Sequence, residues 1–443
     1  MSHTLLYFII RVGNGLLAIT ILAVLTRLLS PSEYGIYALL VAVATVMSSI
    51  LYQWLNAAVG RFYPMHLDDP RKITAVVARG FWAVTAVAAV LYLGALPLHK
   101  LFNIEPVMIG LLFLMTVAMA RYTLALQIAN SQRMPACYSK LSWAKSGVAL
   151  LASIFFINFG LGGQGALLGF LVGLVVAVLI FEPRPRIGLP LGNVNTRLSS
   201  DMFRYGLPLT LNFLAIVLLD LVDRFMIGHL LGVAYIAPYA VAYDLVQLTV
   251  GSVMNIFLLS AFPVIVHLFD SEGYKSASVN LRVLGGKLIS VGLPLAAGLS
   301  VLSSDISKLL FGIEYQQDAS MVMPWLTAAI FVATFKSYFL DVVFQLHHAT
   351  KYQSYIAIMM LLVNVALNLV LLPRYGIIAA AWATLAAFLV GTIMSWIIAK
   401  KIFSVPSLSD VFWKVAFATA IMAALLYFLP PSSGVLWLLA KLA

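Results

Sequence analysis

Basic side chains lie within long apolar stretches of this sequence, where a formal charge is unfavourable. Besides Arg61 at the end of one stretch, they are Arg11, Arg79, Arg121, Lys145, Arg224 and Lys336. At the centre of a lipid bilayer such a charge costs at least about 2.5–3.5 kcal/mol, so these residues usually face a cavity, a partner or a ligand. A guanidinium group binds phosphate oxygens through two parallel hydrogen bonds. The pattern therefore predicts an anionic, phosphate-bearing ligand, and we take this set without Arg79 as the predicted substrate-binding residues.

Arg11 and Arg121 are the strongest candidates because they lie deeper in their stretches than the others near the same surface. Neither has an acidic residue three or four positions away, the spacing at which helical side chains pair. Each must therefore find a partner across a helix bundle, a water-filled cavity or a ligand. Lys145 and Arg79 lie within about one turn of a predicted membrane surface and can extend their charged ends to it. Arg61 can instead anchor the end of its helix.

Acidic residues also fall within the apolar stretches, and we predict that Asp220, Asp223 and Asp244 form a proton- or sodium-coupling site. Asp220 and Arg224 are four residues apart, so a purely structural ion pair is the alternative interpretation. Asp341 follows Lys336 by five residues, which is about 140° around an α-helix. That spacing does not predict contact between the two side chains. No cofactor is predicted.

The composition shows what kind of fold must position these residues. Of 443 residues, 63% are hydrophobic and only 10% are charged, whereas a soluble domain is about 45–50% apolar and about 25% charged. A soluble fold of this length could not bury so much apolar surface, so we predict an all-α integral membrane protein. The single cysteine, Cys137, excludes an intrachain disulfide. The net charge of +11 is spread between apolar runs, so it does not predict a nucleic-acid partner.

Stretches of roughly 20 apolar residues predict the membrane spans. The first six are predicted at 5–29, 34–59, 76–97, 106–128, 141–158 and 161–181. The next six are predicted at 206–231, 235–262, 284–303, 320–345, 352–372 and 376–400. A further C-terminal span at 410–429 and a short apolar tail at 434–442 follow them. The first stretch is too long for a cleavable signal peptide and lacks a small-residue cleavage site.

Basic residues in the loops predict the orientation. With the N-terminus in the cytoplasm, the outside loops hold only Lys100, Lys308 and Arg374. The inside loops hold fourteen basic residues: Arg61, Arg71, Lys72, Arg133, Lys140, Arg184, Arg186, Arg197, Arg204, Lys275, Arg282, Lys351, Lys400 and Lys401. Cytoplasmic loops carry such an excess of positive charge. We therefore predict a multi-pass protein with a cytoplasmic N-terminus.

The chain divides into two related halves. We predict an N-terminal six-helix bundle at 1–181, a cytoplasmic linker at 182–205, a C-terminal six-helix bundle at 206–400 and a C-terminal helix or hairpin at 401–443. RLLSPSEYGIYALLVA from Arg27 aligns with HLLGVAYIAPYAVAYD from His229, and FGLGGQGA from Phe159 aligns with YGIIAAAW from Tyr375. Six spans in each half make these parallel repeats, which suit alternating access.

Two of these strings also carry a family resemblance. LTRLLSPSEYGIYALLVA and NVALNLVLLPRYGIIAAAWATLAAFLV, with DRFMIGHLLG and YAVAYDL between them, resemble the O-antigen and exopolysaccharide flippases. These flippases belong to the multidrug/oligosaccharidyl-lipid/polysaccharide exporter superfamily. The resemblance covers roughly residues 1–400. Neither string determines the substrate.

The resemblance implies two six-helix bundles around a central cavity in the bacterial inner membrane. It implies that the protein moves an undecaprenyl-pyrophosphate-linked sugar unit from the cytoplasmic to the periplasmic leaflet. The implied partners are the lipid-linked oligosaccharide, membrane lipids and other polysaccharide assembly proteins. No enzymatic activity is implied.

Two other functions remain as alternatives. A cation-coupled drug exporter of the same superfamily should favour acidic over basic residues within its spans, whereas here the basic residues outnumber the acidic ones. A membrane oligosaccharide polymerase typically carries a large external loop, and the longest predicted outside loop, near 304–319, is short. The sequence contains no phosphate-binding G-x-x-x-x-G-K-[ST] loop that would couple transport to nucleotide hydrolysis.

Overall fold

The structure, a computed structural model, describes residues 3–98, 106–188, 196–347, 349–402 and 405–428, with the side chains of 3–12 and 211–212 excluded. Within these ranges the chain forms helices and no strands. Contacts divide it into two compact units, Met1–Ile21 with Ile36–Asp220 and Leu22–Gly35 with Leu221–Ala443. The chain passes from one unit to the other at three points, and each of them falls within a helix.

The first unit is built from the helices α1 His3–Leu28, α2 Pro31–Phe62, α3 Pro70–Ala95, α4 Pro106–Ser131, α5 Pro135–Phe156, α6 Gly162–Phe181 and the first part of α7 Thr196–Leu230. Four of them begin with proline, which suits the first helical position because its missing N–H has no partner there in any case. A π-helical segment, Ile157–Leu161, joins α5 to α6. The end of α1 and the start of α2 belong to the second unit.

The second unit contains α8 Ile236–Val246, α9 Ser252–Glu272, α10 Tyr274–Val301, α11 Ser303–Leu310, α12 Ile313–Phe335, α13 Asp341–Leu346, α14 Lys351–Tyr375, α15 Ile377–Ile402 and α16 Ser409–Phe428. Further π-helical segments join α8 to α9 at Gln247–Gly251 and α12 to α13 at Lys336–Leu340. Each of these pairs forms one continuous helical span.

The predicted number of spans is confirmed. Eleven helical stretches within the described ranges are long and apolar enough to cross a membrane. One of them, Pro135–Phe181, contains both α5 and α6, and α1 supplies a further apolar helix. These make twelve core spans and the C-terminal α16. The predicted apolar tail at 434–442 lies outside the described residues.

The linker differs from the prediction in its second half. Residues 182–188 are irregular, but α7 begins at Thr196, so the segment 196–205 is helical rather than loop. The reason is a short amphipathic pattern: Leu198 and Met202, one turn apart, pack into the hydrophobic core of the first unit. Polar residues around them obscured this pattern in the sequence.

The aligned strings occupy equivalent turns. Gly160 and Gly376, which align in the second pair of strings, both have positive φ angles, 85° and 68°. Each lies where one helix ends and the next begins, and glycine adopts this left-handed conformation without the steric penalty of a Cβ atom. The shared glycine therefore reflects a shared helix-to-helix turn.

The first string forms a tight helix start. The Ser30 backbone N–H donates to Glu33 Oε2 at 2.9 Å, and the Glu33 backbone N–H donates to Ser30 Oγ at 3.4 Å. This reciprocal pair is a capping box, and Pro31 fills the first helical position between its two members. The letters S-P-S-E thus encode the sharp start of α2.

The part of this string up to Gly35 is held within the second unit. Arg27 Nη2 donates to the Leu309 carbonyl at 2.6 Å, at the C-terminal end of α11. A Cβ atom on Gly35 would lie 1.9 Å from the Val233 carbonyl oxygen, so only glycine fits there. Val233 belongs to the aligned string of the second half, so the two aligned strings contact each other.

Candidate functional site

A buried cluster in the second unit surrounds the Asp223 carboxylate, which is 1% exposed. Oδ2 accepts from Tyr239 at 2.6 Å and from Thr384 at 2.5 Å. Oδ1 accepts from Asn368 at 2.7 Å and from Asn364 at 3.1 Å. All four donors are neutral, and they come from α8, α14 and α15. Four helices therefore meet at one carboxylate that has no basic partner among its hydrogen bonds.

The same cluster contains an unsatisfied acceptor. The Asn368 amide nitrogen donates to Asp223 and to Asn364 Oδ1 (3.0 Å), while its buried Oδ1 has no hydrogen-bond partner. The buried Asp223 carboxylate and the adjacent unpartnered Asn368 oxygen have no positively charged group among their hydrogen-bond partners. Such acceptors are costly to bury unless a cation or a proton is bound. Hard cations take carboxylate, amide and hydroxyl oxygens as ligands. This oxygen-rich composition suits a sodium ion or a proton.

Arg224, the next residue on α7, forms its ion pair with a partner other than Asp220, the residue that the four-residue spacing suggested. Its guanidinium forms an ion pair with Asp244 on α8. Arg224 is 7% exposed and its Nε has no hydrogen-bond partner, while the Asp244 side chain is 37% exposed. Asp220 is exposed on α7. The predicted coupling residues Asp223 and Asp244 thus lie in one unit but in different hydrogen-bond networks.

Lys336 and Asp341 form a second buried ion pair in this unit, which the sequence argument did not predict. Lys336 Nζ donates to Asp341 Oδ2 at 2.7 Å, and the two residues are 5% and 8% exposed. The cause is the π-helical segment Lys336–Leu340, in which the repeat widens so that residues five apart face the same side. The separation of 140° applies only to a regular α-helix.

In the first unit, Arg121 on α4 has a partner far along the chain. Its Nη2 donates to Glu182 Oε1 at 2.5 Å and to the Ile187 carbonyl at 2.9 Å. Glu182 Oε1 also accepts from the Ile187 backbone N–H at 3.1 Å, and the guanidinium lies over the Phe81 ring. Nη1 is buried without a partner. Arg121 therefore holds the start of the linker against the bundle.

Lys145 on α5 lies among aromatic rings and has no ion pair in the described structure. Its ammonium lies 5.8 Å from the centre of the Tyr122 ring and 5.7 Å from that of Phe170. A cation over an aromatic face is attracted by about 0.5–2 kcal/mol. Such a contact holds the charge in place without neutralising it.

Two further basic residues of the first unit have exposed side chains. They are Arg61, at the end of α2, and Arg79, on α3. Arg11 lies in α1, but its side chain lies outside the described residues. Its substrate contact, like that of Arg121, stays a prediction.

The comparison with protein families identifies the chain. A model of the family described as "Polysaccharide biosynthesis protein" matches residues 2–269, which is more than half of the sequence. The chain belongs to this family. Among curated proteins, none matches at a significant level.

Solved structures of transporters share the fold. The chain is similar to the lipid II flippase MurJ in an inward closed conformation, with a TM-score of 0.78 and 14% identity, covering 99% of this chain and 95% of that one. It is similar to an inward-facing multidrug resistance MATE family transporter of the MOP superfamily, with a TM-score of 0.66, 12% identity and coverage of 89% and 98%. It is also similar to a MATE transporter of Vibrio cholerae, with a TM-score of 0.59 and 14% identity, covering 90% of this chain and 95% of that one. The family and fold expected from the two strings are thus confirmed.

Several polar residues of the family string were missed as site residues. NVALNLVLL supplies Asn364 and Asn368, which lie four apart on one face of α14 and both reach Asp223. Their spacing was visible in the sequence, and it could have marked them as partners of a buried acid. Tyr239 and Thr384 gave no such signal, because single hydroxyl groups are common in apolar helices.

Proposed function

We propose that the protein transfers a polyprenyl-pyrophosphate-linked oligosaccharide from the cytoplasmic to the periplasmic leaflet by alternating access. One observation carries the substrate class. Between residues 36 and 181 the helices of the first unit contain no acidic residue, whereas they contain Arg61, Arg79, Arg121 and Lys145. Helices that carry basic side chains and no carboxylate between residues 36 and 181, with Glu182 just after them pairing only Arg121, fit an anionic ligand and disfavour a cationic drug.

Lys145 is the residue on which we place the substrate contact within the bundle. Arg121 is already bound to Glu182, whereas the Lys145 ammonium lies over the Tyr122 and Phe170 rings and has no ion pair among the described residues. A pyrophosphate would supply the missing counter-charge. We propose that Arg61 and Arg11 assist in binding the pyrophosphate. Arg224 and Lys336 have aspartate partners, so we propose that they contribute to binding by shaping the second unit.

We further propose that the Asp223 cluster couples transport to the movement of a proton or sodium ion. The neutral donors and the orphan Asn368 oxygen support this role, since both would be better satisfied with a cation present. Asp244, half-exposed and bound to Arg224, is proposed as a second group that responds to the ion. Broken or bulged helices near such sites are common in transporters.

The experiment that tests the substrate is a deletion strain. We expect lipid-linked oligosaccharide to accumulate on the cytoplasmic face and the corresponding surface or secreted polysaccharide to disappear. Complementation with Lys145→Met should restore less than about a tenth of the polymer, and Lys145→Arg more, because arginine keeps the charge. Lys400→Met, which removes another lysine from an aromatic ring, is the matched control and should complement fully. Normal polymer from the deletion strain, with no second flippase present, would refute the proposed function.

The orientation has its own test. We propose an inner-membrane protein with a cytoplasmic N-terminus, on the basis of the loop charges. In a Cys137→Ser background, Glu314→Cys should react with an impermeant thiol reagent added from outside, and Arg186→Cys should react only after permeabilisation. Both positions are exposed, so reactivity depends on the side of the membrane. External labelling at position 186 would contradict the orientation.

A further inference from the structure

A groove of about 750 Å³ with charged side chains in its lining lies at one end of the first unit, beside the linker segment that Arg121 holds. Its charged lining comes from two places, the connection between α2 and α3 and the start of the linker after α6. Those residues are Asp68, Asp69, Arg71, Arg184 and Arg186. All lie within a few residues of the end of a candidate membrane span, where lipid headgroups are expected.

The linker part of the groove is held by buried contacts. Arg121 binds Glu182 and the Ile187 carbonyl, Gln132 Nε2 donates to the Arg184 carbonyl at 3.0 Å, and Trp82 Nε1 donates to the Gly188 carbonyl at 3.0 Å. These bonds fix the backbone of 182–188. The side chains of Arg184 and Arg186 take no part in them and are exposed. Two guanidinium groups are thus presented from a fixed backbone.

The charges in the groove do not balance. Lys72 Nζ lies 2.9 Å from Asp69, and its hydrogen bond lowers the pKa of Asp69, so these two side chains neutralise each other. Arg71, Arg184 and Arg186 remain, against Asp68 alone. The described structure gives none of these four an ion pair. Three positive charges against one negative charge leave a surplus of about two.

A pyrophosphate diester carries about two negative charges at neutral pH, which matches this surplus. Three guanidinium groups offer forks that can bind two adjacent phosphates, each through paired hydrogen bonds. The Asp68 carboxylate can accept hydrogen bonds from sugar hydroxyl groups beside them. A phospholipid with one phosphodiester would leave one positive charge unmatched.

We propose that this groove is a docking site for the glycosyl-pyrophosphate headgroup of the lipid-linked oligosaccharide, occupied before the headgroup reaches the interior of the bundle. This inference rests on the proposed function, since it takes the substrate class from it. It adds Arg71, Arg184 and Arg186 as specificity-determining residues. Arg121 acts here as a positioning residue, because it holds the linker that presents two of them.

The test measures binding of a farnesyl-pyrophosphate-linked monosaccharide, a short-chain pyrophosphate diester, to the purified whole chain in neutral detergent. The triple variant Arg71→Gln, Arg184→Gln and Arg186→Gln should weaken binding at least tenfold. The matched control, Arg133→Gln, Arg197→Gln and Arg204→Gln, removes three exposed arginines elsewhere and should change the dissociation constant less than twofold. A farnesyl-monophosphate-linked monosaccharide, a phosphodiester with one negative charge, should discriminate less between the two triple variants.

A second variant guards against misfolding. Arg184→Lys with Arg186→Lys keeps the charge but loses the fork, so the dissociation constant should rise about threefold to tenfold while the thermal unfolding temperature stays within a few degrees. Equal binding by the wild type, both groove variants and the control would overturn the inference. So would a groove variant that loses retained phosphatidylglycerol but binds the pyrophosphate-diester probe normally, because the site would then be a phospholipid site.

Failure of this inference is distinct from failure of the proposed function. If the wild type transports the oligosaccharide and the groove variants bind the probe normally, the docking site is wrong and the function stands. If the wild type neither binds the probe nor transports the oligosaccharide, both are wrong.

Discussion

Replacing Asp223 with asparagine is expected to reduce transport at least a hundredfold while leaving folded protein in the membrane. The carboxylate accepts four hydrogen bonds from neutral donors and is 1% exposed. Asparagine has nearly the same shape but carries no negative charge, so it cannot exchange a proton and offers a sodium ion one neutral oxygen in place of a carboxylate. The measurement is the rate of transport as a function of sodium concentration and of pH, and both dependences should disappear in the variant.

Two further variants show whether the charge or the packing is responsible. Asp270→Asn changes an exposed aspartate on α9 and should leave transport unchanged. Asn368→Leu removes one donor and the orphan oxygen while Asp223 stays, so it should weaken the ion dependence without abolishing transport. A variant Asp223→Asn that transports at the normal rate with the normal ion dependence would show that the cluster is only structural.

The second large effect is on stability. Lys336→Met should lower the free energy of unfolding by about 3–5 kcal/mol, because it leaves Asp341 buried without its cation. The pair is 2.7 Å apart and both residues are less than a tenth exposed. Replacing both partners by apolar residues, Lys336→Met with Asp341→Leu, should recover most of the loss. Thermal unfolding of the purified protein measures both changes.

The control for this experiment is Lys287→Met, which removes an exposed lysine from α10 and should shift the unfolding temperature by no more than a degree or two. If the double variant is less stable than Lys336→Met, the ion pair is a net stabilising element and the account of its desolvation is wrong. If Lys336→Met is as stable as the wild type, the two side chains do not depend on each other.

Local patterns predicted the fold because span length and loop charge depend on residues close together in sequence. The helix count and the glycine shared by the two aligned turns follow from such patterns. The helical start of α7 was missed because only Leu198 and Met202 among polar residues mark its buried face.

The partners of buried charges could not be predicted in the same way. Arg121 binds Glu182, 61 residues later, and Asn364 binds Asp223 from 141 residues away. Packing of helices decides such pairs. The four-residue spacing of Asn364 and Asn368 shows that they share a helix face, but it does not identify Asp223 as the acid that they bind. The Lys336–Asp341 pair was missed for a different reason, because a π-helical segment changed the geometry that the spacing argument assumed.

The central claim is that this chain moves a lipid-linked oligosaccharide across the membrane, driven by an ion gradient. The most direct measurement reconstitutes the purified protein into vesicles with a fluorescent, short-chain prenyl-pyrophosphate oligosaccharide in one leaflet and follows its arrival in the other with a membrane-impermeant quencher. We predict rapid transfer by the wild type that increases with a sodium or proton gradient, and transfer by Asp223→Asn no faster than in protein-free vesicles. Folded wild-type protein that transfers the lipid no faster than protein-free vesicles, under either gradient, would contradict the account.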